Sequence, residues 1–134
     1  MKKAFFAIKY YKNNYNKKKI ENITEALEKA NLKIISMVND KMFCGKNKPT
    51  SEKLMKETFK KINKCDIFVA DLSEKSIGVG VEIGYAFALK KPVVVISNKK
   101  SNISSTIKGV AKQVICYKKP REVTKKILQG SYLF

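Results

Sequence analysis

Five short, unbroken apolar runs, separated by stretches that repeat at helical spacing, constrain this chain more than anything else in it. The runs are Ala4-Phe5-Phe6-Ala7-Ile8, Leu32 to Val38, Ile67-Phe68-Val69-Ala70 ending at Asp71, Val93-Val94-Val95-Ile96 after Pro92, and Val114-Ile115-Cys116-Tyr117. A strand with one wetted face alternates polar and apolar residues, whereas a strand covered on both faces reads as continuous hydrophobe. Between the runs, Ile20, Ile23, Leu27 and Ala30 recur at three- and four-residue intervals, as do Leu54, Met55, Thr58, Phe59 and Ile62. These are amphipathic helices, the second capped by Thr50-Ser51. The spacing predicts further helices over Val81 to Leu89, Ser104 to Val110 and Val123 to Leu128, with Gly78 and Gly80 in the loop that opens the first of them. Gly45 and Pro49 mark another loop.

Strands alternating with helices build an α/β three-layer sandwich: a five-stranded parallel sheet of flavodoxin-like, Rossmann-like topology with right-handed crossovers. The 134 residues make one domain, 1–134. Ligands of such a sheet bind at the carboxyl ends of the strands, where the strand order reverses. That singles out Lys9, Tyr10 and Tyr11 after strand one, with Ile8 at its end, Asp71 to Glu82 after strand three, and Ser97 to Ser105 after strand four.

Composition narrows the chemistry. The chain has no histidine, which excludes a Ser-His-Asp triad, a Cys-His dyad, a His-ligated zinc and an imidazole base. Cys44, Cys65 and Cys116 are odd in number and widely spaced, as expected of reduced thiols in a cytoplasmic protein, with no metal site. Lys and Arg total 29 against 11 Asp and Glu, a net charge of +18, yet Arg121 is the only arginine. Guanidinium is the group that grips phosphate and guanine as a fork. The lysine pairs and triplets (Lys17 to Lys19, Lys60-Lys61, Lys90-Lys91, Lys118-Lys119, Lys125-Lys126) are scattered along the chain and expected at solvated faces. The charge therefore describes a solvated surface that gathers a small phosphorylated ligand, and nucleic acid is not taken as the partner. A hydrophobic fraction of 44% argues against disorder. The five-residue apolar run near Met1 is too short for a signal-peptide core or a membrane span.

The segment Asp71-Leu-Ser-Glu-Lys-Ser-Ile-Gly-Val-Gly-Val-Glu-Ile-Gly-Tyr-Ala86 holds the chemistry. Gly78 and Gly80 let a ligand approach the backbone. Glu82, expected in the first turn of the helix that follows, would be held ionised by the helix dipole. Such a carboxylate suits a glycosidic nucleophile, and equally suits a first turn with no function. Asp71 is a ribose or acid–base partner, or a turn residue.

Cys65-Asp66-Ile-Phe-Val-Ala-Asp-Leu-Ser, then Ser76-Ile-Gly-Val-Gly-Val-Glu82-Ile-Gly-Tyr-Ala, then Lys91-Pro92-Val-Val-Val-Ile resembles the nucleoside 2-deoxyribosyltransferase family. Within it the chain looks most like the 2'-deoxynucleoside 5'-phosphate N-hydrolases, whose Ser-Leu-Gly-Val-Gly-Tyr-Glu-Leu-Gly is matched by Ser76 to Gly84. The resemblance runs on through Ile103 to Gly109. It implies cleavage or exchange of the N-glycosidic bond of a deoxynucleoside or its 5'-monophosphate by a retaining mechanism at the sugar C1', with Glu82 as nucleophile, a covalent glycosyl-enzyme intermediate that water or a second base resolves, and no cofactor. It implies that Ser76 and the Gly78–Gly80 backbone touch sugar or phosphate. Ser104 corresponds to a serine given to the phosphate site across a homo-oligomer interface, or else caps a helix. Three positions depart from the pattern. The Asp that protonates the leaving base falls on Thr58, with Glu57 about 100° away around the helix. The loop after strand one lacks the family's Gly/Ser/Arg, leaving Lys9 or Lys12 as point charges. The early aromatic is Phe5 or Phe6, without a hydroxyl.

Other readings of the same segment are a TIR-like NAD glycohydrolase and a non-catalytic nucleotide-sensing or nucleic-acid-binding module. A response-regulator receiver is disfavoured, because Ile8-Lys9 stands where an acidic pair is required.

Overall fold

A computed structural model of the chain describes residues 1–37, 49–99 and 103–130. The elements follow in the order β1 (Lys2–Ile8), α1 (Lys17–Lys29), β2 (Leu32–Ile35), α2 (Ser51–Asn63), β3 (Ile67–Asp71), α3 (Ile77–Ala88), β4 (Val93–Ser97), α4 (Ser105–Val110), β5 (Gln113–Cys116) and α5 (Pro120–Leu128). The sheet is wholly parallel in the order β2-β1-β3-β4-β5. Strand order reverses at β1, which puts the switch point between β1 and β3, as the flavodoxin-like reading requires.

All five residues of β3 and of β4 are buried, which is why these runs carry no polar alternation. In β1 the period of two distributes side chains between two cores. Ala4, Phe6 and Ile8 pack with Ile20, Ile23 and Leu27 of α1 and Val123 and Ile127 of α5. Phe5 and Ala7 face the opposite layer, with Ile62 of α2 and Val79, Ile83 and Ala86 of α3. Phe5 and Phe68 stack across the β1–β3 pair at 5.6 Å between ring centroids.

Two of the boundaries that differ from the sequence reading shape the site. The second strand, expected to reach Val38, ends at Ile35; Val38 itself lies outside the described residues, as do Gly45 and Cys44. Its ladder with β1 stops at the Phe5–Ile35 pair, whereas β1 continues beside β3 to Ile8. Among the described residues, the flank of Phe6 to Ile8 has no strand beside it, and a cavity opens there. The other difference is α3, which begins at Ile77, not Val81. The Ser76 hydroxyl accepts a hydrogen bond from the Val79 N–H at 3.2 Å, a side-chain cap strong enough to start the helix before its glycines. Gly78 and Gly80 therefore lie inside the first turns of α3 and not in a loop.

The lysines are not uniformly solvated. Lys19, Lys61 and Lys91 are half-buried. Lys91 Nζ donates to the Cys65 carbonyl at 2.6 Å, and Lys19 Nζ lies 3.6 Å from the buried carboxylate of Asp71. A long aliphatic stem lets lysine cover apolar surface while its ammonium finds a partner. Among the described residues no helix is long and apolar enough to cross a membrane.

Candidate active site

Two cavities meet at the carboxyl end of β1 and share Ile8 as a wall. One, of about 230 Å³, occupies the flank that β2 leaves open. Its floor is Phe5 to Ile8, Leu54, Met55 and Thr58 of α2 form one side, and Ser76, Gly78, Val79 and Glu82 of α3 form the other, with Tyr10 and Met37 at the edges. Glu82 is the only carboxyl group among these lining residues.

Its environment inverts the electrostatic expectation. Glu82 is the sixth residue of α3, in the second turn, beyond the short reach of the helix N-terminal field. Among the described residues it has no hydrogen-bond or ion-pair partner. Burial alone pushes its carboxyl from 4.5 up to about 7, because an apolar wall disfavours the charged form. Gly78 belongs to the same wall. A Cβ built on it meets nothing nearer than the Ser76 hydroxyl at 3.9 Å, so the missing side chain leaves room above the helix rather than relieving a clash.

Thr58 lines the same cavity from the α2 side. It is 2% exposed, and its hydroxyl donates to the Leu54 carbonyl at 2.8 Å. Glu57, one position along α2, does not line the cavity.

The second cavity, of about 420 Å³, is polar. It lies over the ends of β1, β3 and β4 and is lined by Lys9, Tyr11, Tyr15, Asn16, Lys19, Asp71, Glu74, Asn98 and Lys99, besides Ile8. Asp71 is built into its floor: Oδ1 accepts the Ser73 N–H at 2.8 Å and Oδ2 accepts the Tyr117 hydroxyl at 2.7 Å. The turn reading of Asp71 is therefore realised, although the residue also borders a cavity. Burial, then the Asp71 charge, pushes the Tyr117 phenol up. The Ser73 hydroxyl in turn accepts the Asn98 N–H at 2.9 Å, joining the loops after β3 and β4. Nearer the mouth, the Tyr11 hydroxyl donates to Glu74 Oε2. That bond pushes the phenol up to about 12 and holds the Glu74 carboxyl below its usual range.

The structure thus divides the residues picked from the sequence. Tyr10, Ser76, Gly78 and Glu82 gather in the apolar cavity, Lys9 and Asp71 line the polar one, and Ile8 belongs to both. Gly80 and Ser104 line neither. Ser104 is exposed and caps α4, accepting from the Ile107 N–H at 3.3 Å. Met37, Leu54 and Met55 were absent from the sequence reading as site residues. The last two were visible only as part of a helical apolar stripe, which does not say that the stripe faces a cavity. Lys19 and Tyr117 carry no local signal, since their partner Asp71 is distant in the chain; Glu74 falls within the segment from Asp71 to Glu82, but its partner Tyr11 lies 63 positions away. Among the described residues no group of three metal-ligating side chains forms.

The sequence model of the family described as nucleoside 2-deoxyribosyltransferase matches residues 4–123. No curated protein matches the chain. Among solved structures, the CMP N-glycosidase BcmB of Clostridium botulinum is 25% identical, with a TM-score of 0.69, over 94% of this chain and 97% of that one. The 2-deoxyribosyltransferase of the psychrotolerant bacterium Bacillus psychrosaccharolyticus shares the fold at 17% identity and a TM-score of 0.71, over 91% of this chain and 90% of that one. A conserved protein of Enterococcus faecalis does so at 19% identity and 0.65, over 96% and 98%.

Proposed function

The chain belongs to the nucleoside 2-deoxyribosyltransferase family, and on that premise we propose that it cleaves the N-glycosidic bond of a nucleoside 5'-monophosphate with Glu82 as the nucleophile. One observation carries this reading: a desolvated carboxyl group, without a partner among the described residues, in a small apolar cavity beside a glycine that leaves space for a sugar. A carboxylate with no hydrogen bonds to the described residues attacks readily once ionised. A Glu82 oxygen bonds to C1', the C1'–N bond breaks, and the base departs with the electron pair. Water then attacks C1' of the glycosyl ester, releasing the sugar phosphate with net retention and restoring Glu82.

Hydrolysis is favoured over transfer to a second base for two reasons. The 25% identical relative is described as a CMP N-glycosidase, and the lysine-rich surface favours a phosphorylated ligand. The 5'-phosphate sits at Ser76 and the first N–H groups of α3. Ser104 does not line the cavity of its own chain, so its role is assigned to the partner subunit of a homodimer. The outer face of α3 fits such a contact: Ile77 is 90% exposed, Val81 50% and Phe87 51%. Thr58 supplies no acid and Glu57 faces elsewhere, so protonation of the departing base is assigned to water.

The test is base release from nucleoside and 2'-deoxynucleoside 5'-monophosphates against the unphosphorylated nucleosides, with Glu82→Ala as control. Phosphorylated substrates should be preferred and the variant should be inactive. Unchanged activity in Glu82→Ala sinks the nucleophile assignment, and stabilisation by nucleotide without turnover would place the chain among nucleotide sensors.

A further inference from the structure

We propose that the polar cavity over β1, β3 and β4 is a second ligand site, separate from the Glu82 cavity, and that it takes a sugar phosphate. Three ammonium groups reach it from three segments: Lys9 after β1, Lys19 in α1 and Lys99 after β4. They converge, since all three act on the charge of Glu74. Lysines placed only for solubility diverge into solvent. Here Lys19 is half-buried against Asp71, and Lys9 Nζ lies 5.2 Å from the centre of the Tyr11 ring. Against Asp71 and Glu74, three ammonium groups leave one positive charge in excess. An anion entering the cavity meets that excess in a partly dehydrated setting, where charge–charge attraction is stronger than in open water.

The rest of the lining suits hydroxyl groups. Oε2 of Glu74 is taken by Tyr11, while Oε1 has no partner among the described residues. Asn16 spends its Nδ2 on the Lys9 carbonyl at 2.9 Å, which holds the loop to the helix and leaves its Oδ1 facing no capped N–H. The Asn98 amide makes no side-chain hydrogen bond among the described residues. Free acceptors and an amide beside clustered ammonium groups match a ligand with several hydroxyls and one phosphate. The volume, about 420 Å³, falls within the range of small-molecule sites, roughly 300–1,000 Å³. The pentose 5-phosphate released by nucleotide hydrolysis belongs to this class; that link rests on the proposed activity, whereas the site does not.

A titration of the isotopically labelled protein with ribose 5-phosphate, followed by amide NMR shifts, decides the matter. Saturable shifts are expected at Lys9, Asn16, Glu74, Asn98 and Lys99, and they should persist in Glu82→Ala. Inorganic phosphate should bind more weakly, and ribose alone should not saturate. Lys99→Ala, which removes an exposed side chain with no folding role, should weaken binding roughly tenfold, and Lys19→Ala with Lys99→Ala more, while base release is retained. Shifts confined to Ser76–Glu82, phosphate binding as tight as that of ribose 5-phosphate, or affinity unchanged in the double variant would overturn the assignment. Failure of the proposed reaction shows as absent base release with the titration intact.

Discussion

Replacing Glu82 by glutamine separates the two consequences of its burial. A carboxyl raised from 4.5 to about 7 prefers its protonated form by roughly 3 kcal/mol. Only the ionised form attacks C1', so kcat/KM should rise with pH to a midpoint near 7. At pH 5.5 about 3% of the free enzyme is ionised, and kcat/KM should be roughly thirtyfold below its value at pH 8. The same burial acts on stability in the opposite direction. Between 4.5 and 7 the unfolded chain has released the proton that the folded protein keeps, so folding weakens as pH rises through this window. Below 4.5 the contribution is fully present, and above 7 it is lost. From pH 5 to pH 8 the wild type should lose roughly 2 to 3 kcal/mol relative to Glu82→Gln, which has no proton to release. Urea unfolding of both proteins at the two pH values measures this difference, and all other titrating groups cancel in it. A stability difference that does not change with pH, together with a rate midpoint near 4.5, would refute the desolvation argument.

Two further substitutions probe the neighbours of Glu82 and Asp71. Thr58→Asp places a carboxyl opposite Glu82; it should raise turnover of substrates with poor leaving bases and add a falling alkaline limb to the pH–rate profile, at a stability loss of about 1–3 kcal/mol for burying the group. Reduced turnover with no alkaline limb would count against an acid role for this position. Tyr117→Phe removes the 2.7 Å hydrogen bond to Asp71 and leaves a buried oxygen unsatisfied, which should cost about 1–3 kcal/mol in urea unfolding; a loss below a few tenths of a kcal/mol would mean that the network adds little.

Much of the fold is legible because its determinants are local or periodic. The unbroken runs around Phe68 and Val95 can only be strands covered on both faces, and Ile20, Ile23 and Leu27 can only be one face of a helix. The position of the site follows in turn, since parallel strands present their ligands at the carboxyl ends. The start of α3 was misplaced for an identifiable reason. Glycines suggest a loop, yet Ser76 provides a cap three residues ahead of Val79, and one good cap outweighs the weak helix propensity of Gly78 and Gly80. Moving the helix start shifted Glu82 from a field that stabilises its charge into a wall that opposes it.

The sequence by itself determined the parallel α/β architecture and the absence of imidazole chemistry. Each depends on residue type and short-range spacing, which a linear chain displays openly. Only the tertiary structure decided that Lys9 and Asp71 part company with Glu82, and that Thr58 rather than Glu57 lines its cavity. It alone showed that Lys19, Lys99 and Glu74 share a second cavity. Those facts depend on where β2 leaves β1 and on which way loops far apart in the chain turn, and a change of one residue in either redirects a side chain without altering any pattern the sequence shows.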